Sequence, residues 1–376
     1  MKIVLAPDSF KGSLSSIEAA DAMEEGLKKY DGNFIIEKVP MADGGEGTVE
    51  SLVSITKGHM VKLTVQDPLK REIEGFYGIS GDGRTAVIEM AAASGLPLLK
   101  EGERNPLIAS SYGTGQLIKD ALDRGCRKFI IGIGGSATND GGAGMLKALG
   151  TRFLDSDGNE IAEGAIELNT LSEIDLSGFD KRVFESDIKV ACDVENTLCG
   201  EYGASYVFGP QKGADENMIK TLDENLFHYG KILEEQFSID VINIPGAGAA
   251  GGMGAALTAV MKAELESGID IVIRESSLKE TLKDADLVFT GEGKIDYQTR
   301  FGKTPYGVAA EAKKLNIPVI ALAGSIGEGA DVLYEFGFNG IFSIIDKPMA
   351  LEEAMKNGKE LLRNAVFRII KLYMVR

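Results

Sequence analysis

Histidine is nearly missing from this chain: only His59 and His228 occur among 376 residues. A Ser-His-Asp hydrolase or a His-ligated zinc centre needs at least one of them at the chemistry, and neither lies in a glycine-rich segment, so both classes are set aside. His228 sits in residues 215–237, where Ile219, Leu222, Leu226, Leu233 and Phe237 recur at helical spacing, and His59 follows Gly58 in a turn. Both read as structural. Cysteine is scarce too, and Cys126, Cys192 and Cys199 form an odd set without paired metal spacing, as expected for a reduced, cytosolic chain. Positive charge is short: 40 basic residues face 57 acidic ones, a net charge of -17 that argues against nucleic acid and anionic membranes as partners. No Gly-x4-Gly-Lys-Ser/Thr run occurs, which excludes a Walker loop. The first apolar run, residues 1–6, is too brief for a signal core or a membrane span and reads as a β-strand.

What the chain does have is glycine beside carboxylates. Residues 132–144 read Gly-Ile-Gly-Gly-Ser-Ala-Thr-Asn-Asp-Gly-Gly-Ala-Gly directly after Phe129-Ile130-Ile131, a composition that lets several backbone N–H groups approach one bound anion. Weaker versions follow other apolar runs, in Ala42-Asp43-Gly44-Gly45-Glu46-Gly47 and Thr290-Gly291-Glu292-Gly293. The pattern predicts one acidic, glycine-lined cleft for a phosphate or a metal-bound nucleotide.

The length predicts two domains. Short apolar strands alternate with helical patterns, beginning with residues 3–6 and a helix over 15–29 whose Ser15 and Glu18 make a capping box. Further units are the helix 116–124 before the strand 128–133, the strand 287–290 before a helix near 307–315, and the strand 319–323 before 330–336. The strand 341–345 then precedes a helix over 350–373. Residues 61–65, 73–79 and 86–89 instead read as consecutive strands in antiparallel or mixed pairing, and long polar loops surround a strand at 188–191. The expected fold is α/β, with a doubly wound, mostly parallel sheet and a smaller mixed-sheet domain inserted into it. The parallel, Rossmann-like domain is assigned residues 1–60, 110–145 and 285–376, and the inserted domain 61–109 and 146–284.

Two glycine patterns keep a dinucleotide reading open. Gly132-Ile133-Gly134-Gly135-Ser136-Ala137 fits GxGxxA after a strand, and Gly246-Ala247-Gly248-Ala249-Ala250-Gly251 fits GxGxxG before a helix-like 255–266. Against it, Asn139-Asp140 puts a carboxylate inside the first loop, and Pro245 separates the second from its strand. For ATP, the phosphates would rest on backbone N–H groups of the glycine runs and on Mg²⁺ held by carboxylates. Asp8, Asp43, Asp140, Asp193 and Glu292 stand at apparent strand ends, which face the ligand crevice of an open α/β sheet, though each also suits a turn or a helix cap. Asp193 ends the run Ile188-Lys189-Val190-Ala191-Cys192 without a following glycine, and is placed to accept a proton from an attacking hydroxyl. Lys11, between the first strand and helix, is placed to neutralise a transferring phosphoryl group, and Lys212, Lys294, Arg300 and Lys303 in glycine-rich segments suit an anionic substrate.

Taken in order, Ala6-Pro7-Asp8-Ser9-Phe10-Lys11, residues 41–48, Gly132 to Met145, Ala191-Cys192-Asp193-Val194, Phe208-Gly209-Pro210-Gln211-Lys212-Gly213-Ala214, Pro245 to Gly254 and residues 290–293 resemble the bacterial class I glycerate kinases nearly end to end. The pattern departs at Thr197, where relatives carry proline, and at Tyr112, a position often basic. The resemblance implies an ATP-dependent, Mg²⁺-requiring D-glycerate kinase of glyoxylate or sugar-acid breakdown. It would make 2-phosphoglycerate or 3-phosphoglycerate, act in the cytoplasm as a monomer or homodimer, and have two α/β domains enclosing the site. On that reading Asp193 is the base and Lys11 the stabiliser, and Asp140 and Glu292 hold the metal. Asp8, Ser9, Asp43, Gly44, Gly134, Gly135, Ser136, Asn139, Lys212, Gly248, Glu292 and Lys303 contact substrate or nucleotide. The rival readings are an NAD-dependent hydroxy-acid dehydrogenase and a non-catalytic small-molecule sensor closing by a hinge.

Overall fold

The computed structural model describes residues 1–375. In chain order the strands are β1 (Lys2–Leu5), β2 (Ile35–Lys38), β3 (His59–Gln66), β4 (Glu72–Ile79), β5 (Thr85–Glu89), β6 (Lys128–Gly132), β7 (Arg152–Leu154), β8 (Glu173–Asp175), β9 (Asp187–Ala191), β10 (Glu264–Glu266), β11 (Leu287–Ile295), β12 (Val319–Ile326) and β13 (Phe338–Ser343). The chain divides into two compact units, one of Met1–Asp43, Glu50–Thr56 and Ser267–Arg376, the other of Gly44–Val49 and Lys57–Glu266.

The first unit carries a wholly parallel sheet in the order β13-β12-β11-β1-β2. Ile3, Val4, Leu5, Leu287, Val288 and Phe289 are all fully buried, the continuous apolar run that a parallel sheet covered on both faces requires. Leu5, Phe289 and Leu322 meet Met23 and Leu27 of the helix Ser16–Tyr30 and Leu362 and Val366 of the helix Gly358–Tyr373. The helix Thr304–Lys314 connects β11 to β12 and packs on the helix Gly268–Glu275, where the bare Cα of Gly307 faces Ile269. From β1 the chain winds one way across the sheet to β2, and from β11 it winds the other way to β12 and β13. Right-handed crossovers in opposite directions fall on opposite faces, so the sheet is doubly wound. The capping box forms as the spacing predicts: the Glu18 N–H donates to Ser15 Oγ at 3.2 Å, and the Ser15 N–H to Glu18 Oε2 at 2.9 Å.

The second unit has a six-stranded mixed sheet, β10-β9-β6-β5-β4-β3, and the small antiparallel pair β7-β8. β4 runs antiparallel to both β3 and β5, whereas β5, β6, β9 and β10 are mutually parallel. Residues 110–145, placed with the parallel sheet by the sequence, belong here instead, because Ile130 of β6 is flanked by Val87 of β5 and Lys189 of β9. This mixed-sheet unit is consequently the longer of the two. Three element ends also differ from expectation. β11 continues to Ile295, so Glu292 lies within a strand; the helix Ala249–Ala259 stops short and residues 264–266 form β10; and the last helical stretch breaks at Asn357 into Leu351–Lys356 and Gly358–Tyr373.

The two densest glycine runs lie against each other in this second unit. The Gly141 N–H donates to the Gly251 carbonyl at 3.0 Å, and a Cβ on Gly251 would stand 2.0 Å from the Thr138 carbonyl oxygen. Gly251 also has φ +68, inside a left-handed kink spanning Ala250–Gly252. The glycines permit a contact of main chain on main chain that no larger residue allows. Gly251→Ala is expected to cost about 3 kcal/mol or more, from left-handed strain plus overlap. Gly83→Ala, also at positive φ (+67) but with nothing within 4 Å of the new Cβ, is expected to cost about 1 kcal/mol. Denaturant melts of both variants check the difference.

Candidate active site

The crossovers diverge between β1 and β11, and ligands of open α/β sheets bind at the carboxyl edge of such a switch point. The chain after β1 stays aligned with β11, its Asp8 N–H donating to the Gly291 carbonyl at 2.8 Å. Asp8 is thereby held beside Glu292, and both line a cavity of about 440 Å³ together with Asp43, Lys11, Lys294 and Lys303. Ser9 lines it as well, its N–H donating to Asp8 Oδ1 at 2.6 Å.

The acids are strongly coupled to their surroundings. Asp8 is only 6% exposed. Burial, then the Asp43 charge, with a further push from Glu292, raises its carboxyl from 3.8 to about 7, and the Ser9 N–H acts in the opposite direction. Burial also raises Glu292, while the Lys303 ammonium, whose Nζ donates to Oε2 at 3.1 Å, and the Thr299 hydroxyl, which donates to Oε1 at 2.8 Å, pull it back. Lys11 is exposed at the cavity, a mobile positive charge on a flexible stem. Carboxylates gathered until one resists ionising are a fit for a cation. Among the described residues no three His, Cys, Asp or Glu side chains form a metal cage, but Mg²⁺ characteristically takes one or two carboxylates and completes its shell with water and phosphate oxygens.

The remaining sequence candidates lie in the mixed-sheet unit and do different work. Asp140, expected at the metal, is completely buried, and its carboxylate is taken up by its own loop and by Ser111. Oδ2 accepts from the Ser111 N–H and Oγ, both at 2.8 Å, and from the Gly144 N–H at 3.2 Å; Oδ1 accepts from the Gly142 N–H at 3.1 Å. Asp140 therefore organises the loop after β6, with no oxygen turned outward for an ion. Asn139 is equally buried and donates from Nδ2 to Ser205 Oγ at 3.0 Å. Lys212 is 1% exposed and donates from Nζ to the Thr138 carbonyl at 2.6 Å. Burial lowers it to about 7, against the pull of Asp140. It is a strut of the loop, not a surface lysine awaiting an anion. Only Gly134 and Gly135, at the tip, are exposed; Ser136 is buried just behind them. Gly44 backs onto Gly132, where a Cβ would come within 2.4 Å of its carbonyl oxygen, and Gly248 is pressed against the Thr197 carbonyl. Asp193, expected as the base, is exposed two residues beyond β9.

A sequence model of the glycerate kinase family matches residues 3–374. The chain belongs to the glycerate kinase family. A glycerate 2-kinase of Escherichia coli is 52% identical over 95% of this chain and 94% of its own length. A glycerate kinase of Bacillus subtilis is 51% identical over 96% and 94%. A crystal structure of a Salmonella typhimurium LT2 protein assigned as glycerate kinase 2 superposes with a TM-score of 0.91 at 51% identity, covering 99% of this chain and 98% of that one. The family makes the chain a kinase, an enzyme that moves phosphate to an alcohol group. Sequence reasoning missed the cavity's far wall, which includes Ile344, Leu351 and Met355; they carried no motif and read as ordinary strand and helix residues.

The native fold binds a proton at Asp8 up to about pH 7, whereas the unfolded chain releases it near the ordinary 3.8. Stability assigned to this group is therefore present at low pH and drains away as pH rises from about 4 through 7. Asp8→Asn is expected to be more stable than the parent at pH 8, by up to about 4 kcal/mol, with the gap closing toward pH 4 in denaturant melts. Lys212 has the opposite sign: the unfolded chain holds its proton to the ordinary 10.5 and the native fold only to about 7, so stability rises with pH across that window. Lys212→Met should flatten the rise.

Proposed function

We propose that the chain transfers the γ-phosphoryl group of ATP to a hydroxyl of D-glycerate, forming 2-phosphoglycerate in the cytoplasmic breakdown of glyoxylate or sugar acids. The observation that supports it is the cavity at the switch point of the parallel sheet, where Asp8, Asp43 and Glu292 face Lys11 and Lys303. Such a juxtaposition of acids for a cation and ammonium groups for phosphate is the working surface of phosphoryl transfer, in which the protein positions and stabilises charge.

One or two carboxylates among Asp8, Asp43 and Glu292 would hold Mg²⁺, which when bound offsets negative charge on the phosphates. Lys303 stays paired with Glu292 and keeps that carboxylate oriented. Lys11, free to swing on its exposed stem, neutralises charge building on the phosphoryl oxygens. A glycerate hydroxyl oxygen forms the new bond to phosphorus as the bond to the bridging oxygen of the ADP leaving group breaks, and Asp193 accepts the hydroxyl proton. Its exposed place beyond β9 leaves the carboxylate open to an approaching hydroxyl. The exposed Gly134-Gly135 tip, in a loop fixed by Asp140 and Lys212, offers backbone N–H groups to an anionic substrate.

Two measurements test this reading. Glycerate-dependent release of ADP, with product accepted at once by enolase in the absence of a mutase, is expected for 2-phosphoglycerate; a requirement for mutase would assign the other hydroxyl. Asp193→Asn is expected to lower kcat by about 10²- to 10⁴-fold with ADP affinity retained. Turnover near the parent rate would remove Asp193 from the role of base.

A further inference from the structure

The cavity has two chemically different ends, and only one is explained by phosphate and metal. Beyond the acids and lysines, its far wall is apolar, formed by Phe10, Ile344, Ile345, Leu351, Ala354 and Met355. This wall is built into the same pocket by direct ties to the loop after β1. Ser13 Oγ donates to the Met355 carbonyl at 2.6 Å, and a Cβ on Gly12 would meet Met355 Cε at 2.5 Å. Leu351, opening the short helix Leu351–Lys356 at the rim, leaves 76% of its surface in solvent.

We propose that this apolar end seats the purine base of the nucleotide phosphoryl donor, with the ribose and phosphates directed toward Lys11, Lys294 and the acids. The inference rests on the reading of the chain as an ATP-dependent kinase and adds which unit, and which wall, holds the donor. Volume supports it: about 440 Å³ lies in the range of about 300–1,000 Å³ typical of drug-sized ligands and is far more than a three-carbon acid fills. Chemistry supports it as well. A flat, uncharged ring gains by leaving water against leucine, isoleucine and a pliable methionine, and no charged side chain stands on that wall to demand a polar guest. One end of the pocket is thus polar and charged and the other apolar, the same division that a nucleotide carries along its length.

The test uses the full-length protein and compares ADP with inorganic tripolyphosphate, which has the phosphates but no base. Ala354→Phe fills the apolar end. ADP binding by calorimetry is expected to weaken by at least about 10-fold and the KM for ATP to rise in step, while tripolyphosphate affinity and the KM for glycerate stay at parent values. Leu351→Ser, at an exposed position that the fold tolerates, is expected to weaken ADP by about 3- to 10-fold with tripolyphosphate again unaffected, and it carries the test if Ala354→Phe does not melt cooperatively. ADP affinity unchanged in Leu351→Ser and in folded Ala354→Phe overturns the base site, as does an equal loss of ADP and tripolyphosphate binding. A parent protein that phosphorylates glycerate while both variants bind ADP normally refutes the pocket and leaves the kinase reading standing. A parent that ignores glycerate yet loses ADP on Ala354→Phe does the reverse.

Discussion

Right-handed crossovers leave β1 in one direction and β11 in the other, and the acidic chemistry of the parallel-sheet unit gathers where they part. At that switch point the loop after β1 runs on beside β11 and brings Asp8 to Glu292. Asp43, several residues beyond β2, lines the same opening. The handedness of the chain thus decides where charge can be concentrated.

Concentrated charge is costly to bury, and the two units meet that cost in different ways. In the parallel unit, Asp8 has few donors and responds by holding its proton, and Glu292 keeps a lysine partner. In the mixed-sheet unit burial pushes the Asp140 carboxyl up as well, but four hydrogen bonds, two of them from glycine N–H groups, surround it and act in the opposite direction. The first arrangement leaves capacity for a ligand, and the second consumes it. Nearby, the Thr138 hydroxyl, the Asn139 carbonyl oxygen and the Tyr229 hydroxyl are buried without a hydrogen-bond partner, so the rigidity of that loop is obtained with polar groups left over.

Much of the fold could be read from the chain. The Ser15–Glu18 capping box, the helix Glu216–Phe237 with Asp215 at its N-terminus and the strand pairing from β3 to β5 were all legible, because each rests on local spacing. Partition between the sheets was not, since β6 is as apolar and as glycine-terminated as β1 or β11, and only its neighbours β5 and β9 assign it. The carboxylates show the same limit. Asp8, Asp43, Asp140 and Glu292 look alike in sequence, each beside glycine or serine, but hydrogen-bond donors reach Asp140 from Ser111, a residue 29 positions away. Glycine misled in a related way: in residues 132–144 and 246–254 much of it serves the approach of one backbone to another, which composition does not distinguish from a phosphate cradle.

The pairing of Ile3 with Leu287 across β1 and β11 also sets a timetable for folding. On the ribosome, the whole of Lys57–Glu266 emerges before the strand that completes the parallel sheet exists. Until then β1 and β2 are a two-stranded fragment with most of its apolar surface uncovered, whereas the mixed-sheet unit already has all of its chain and can condense alone. The cavity's acids, drawn from both ends of the sequence, come together only after a closure that spans most of the chain.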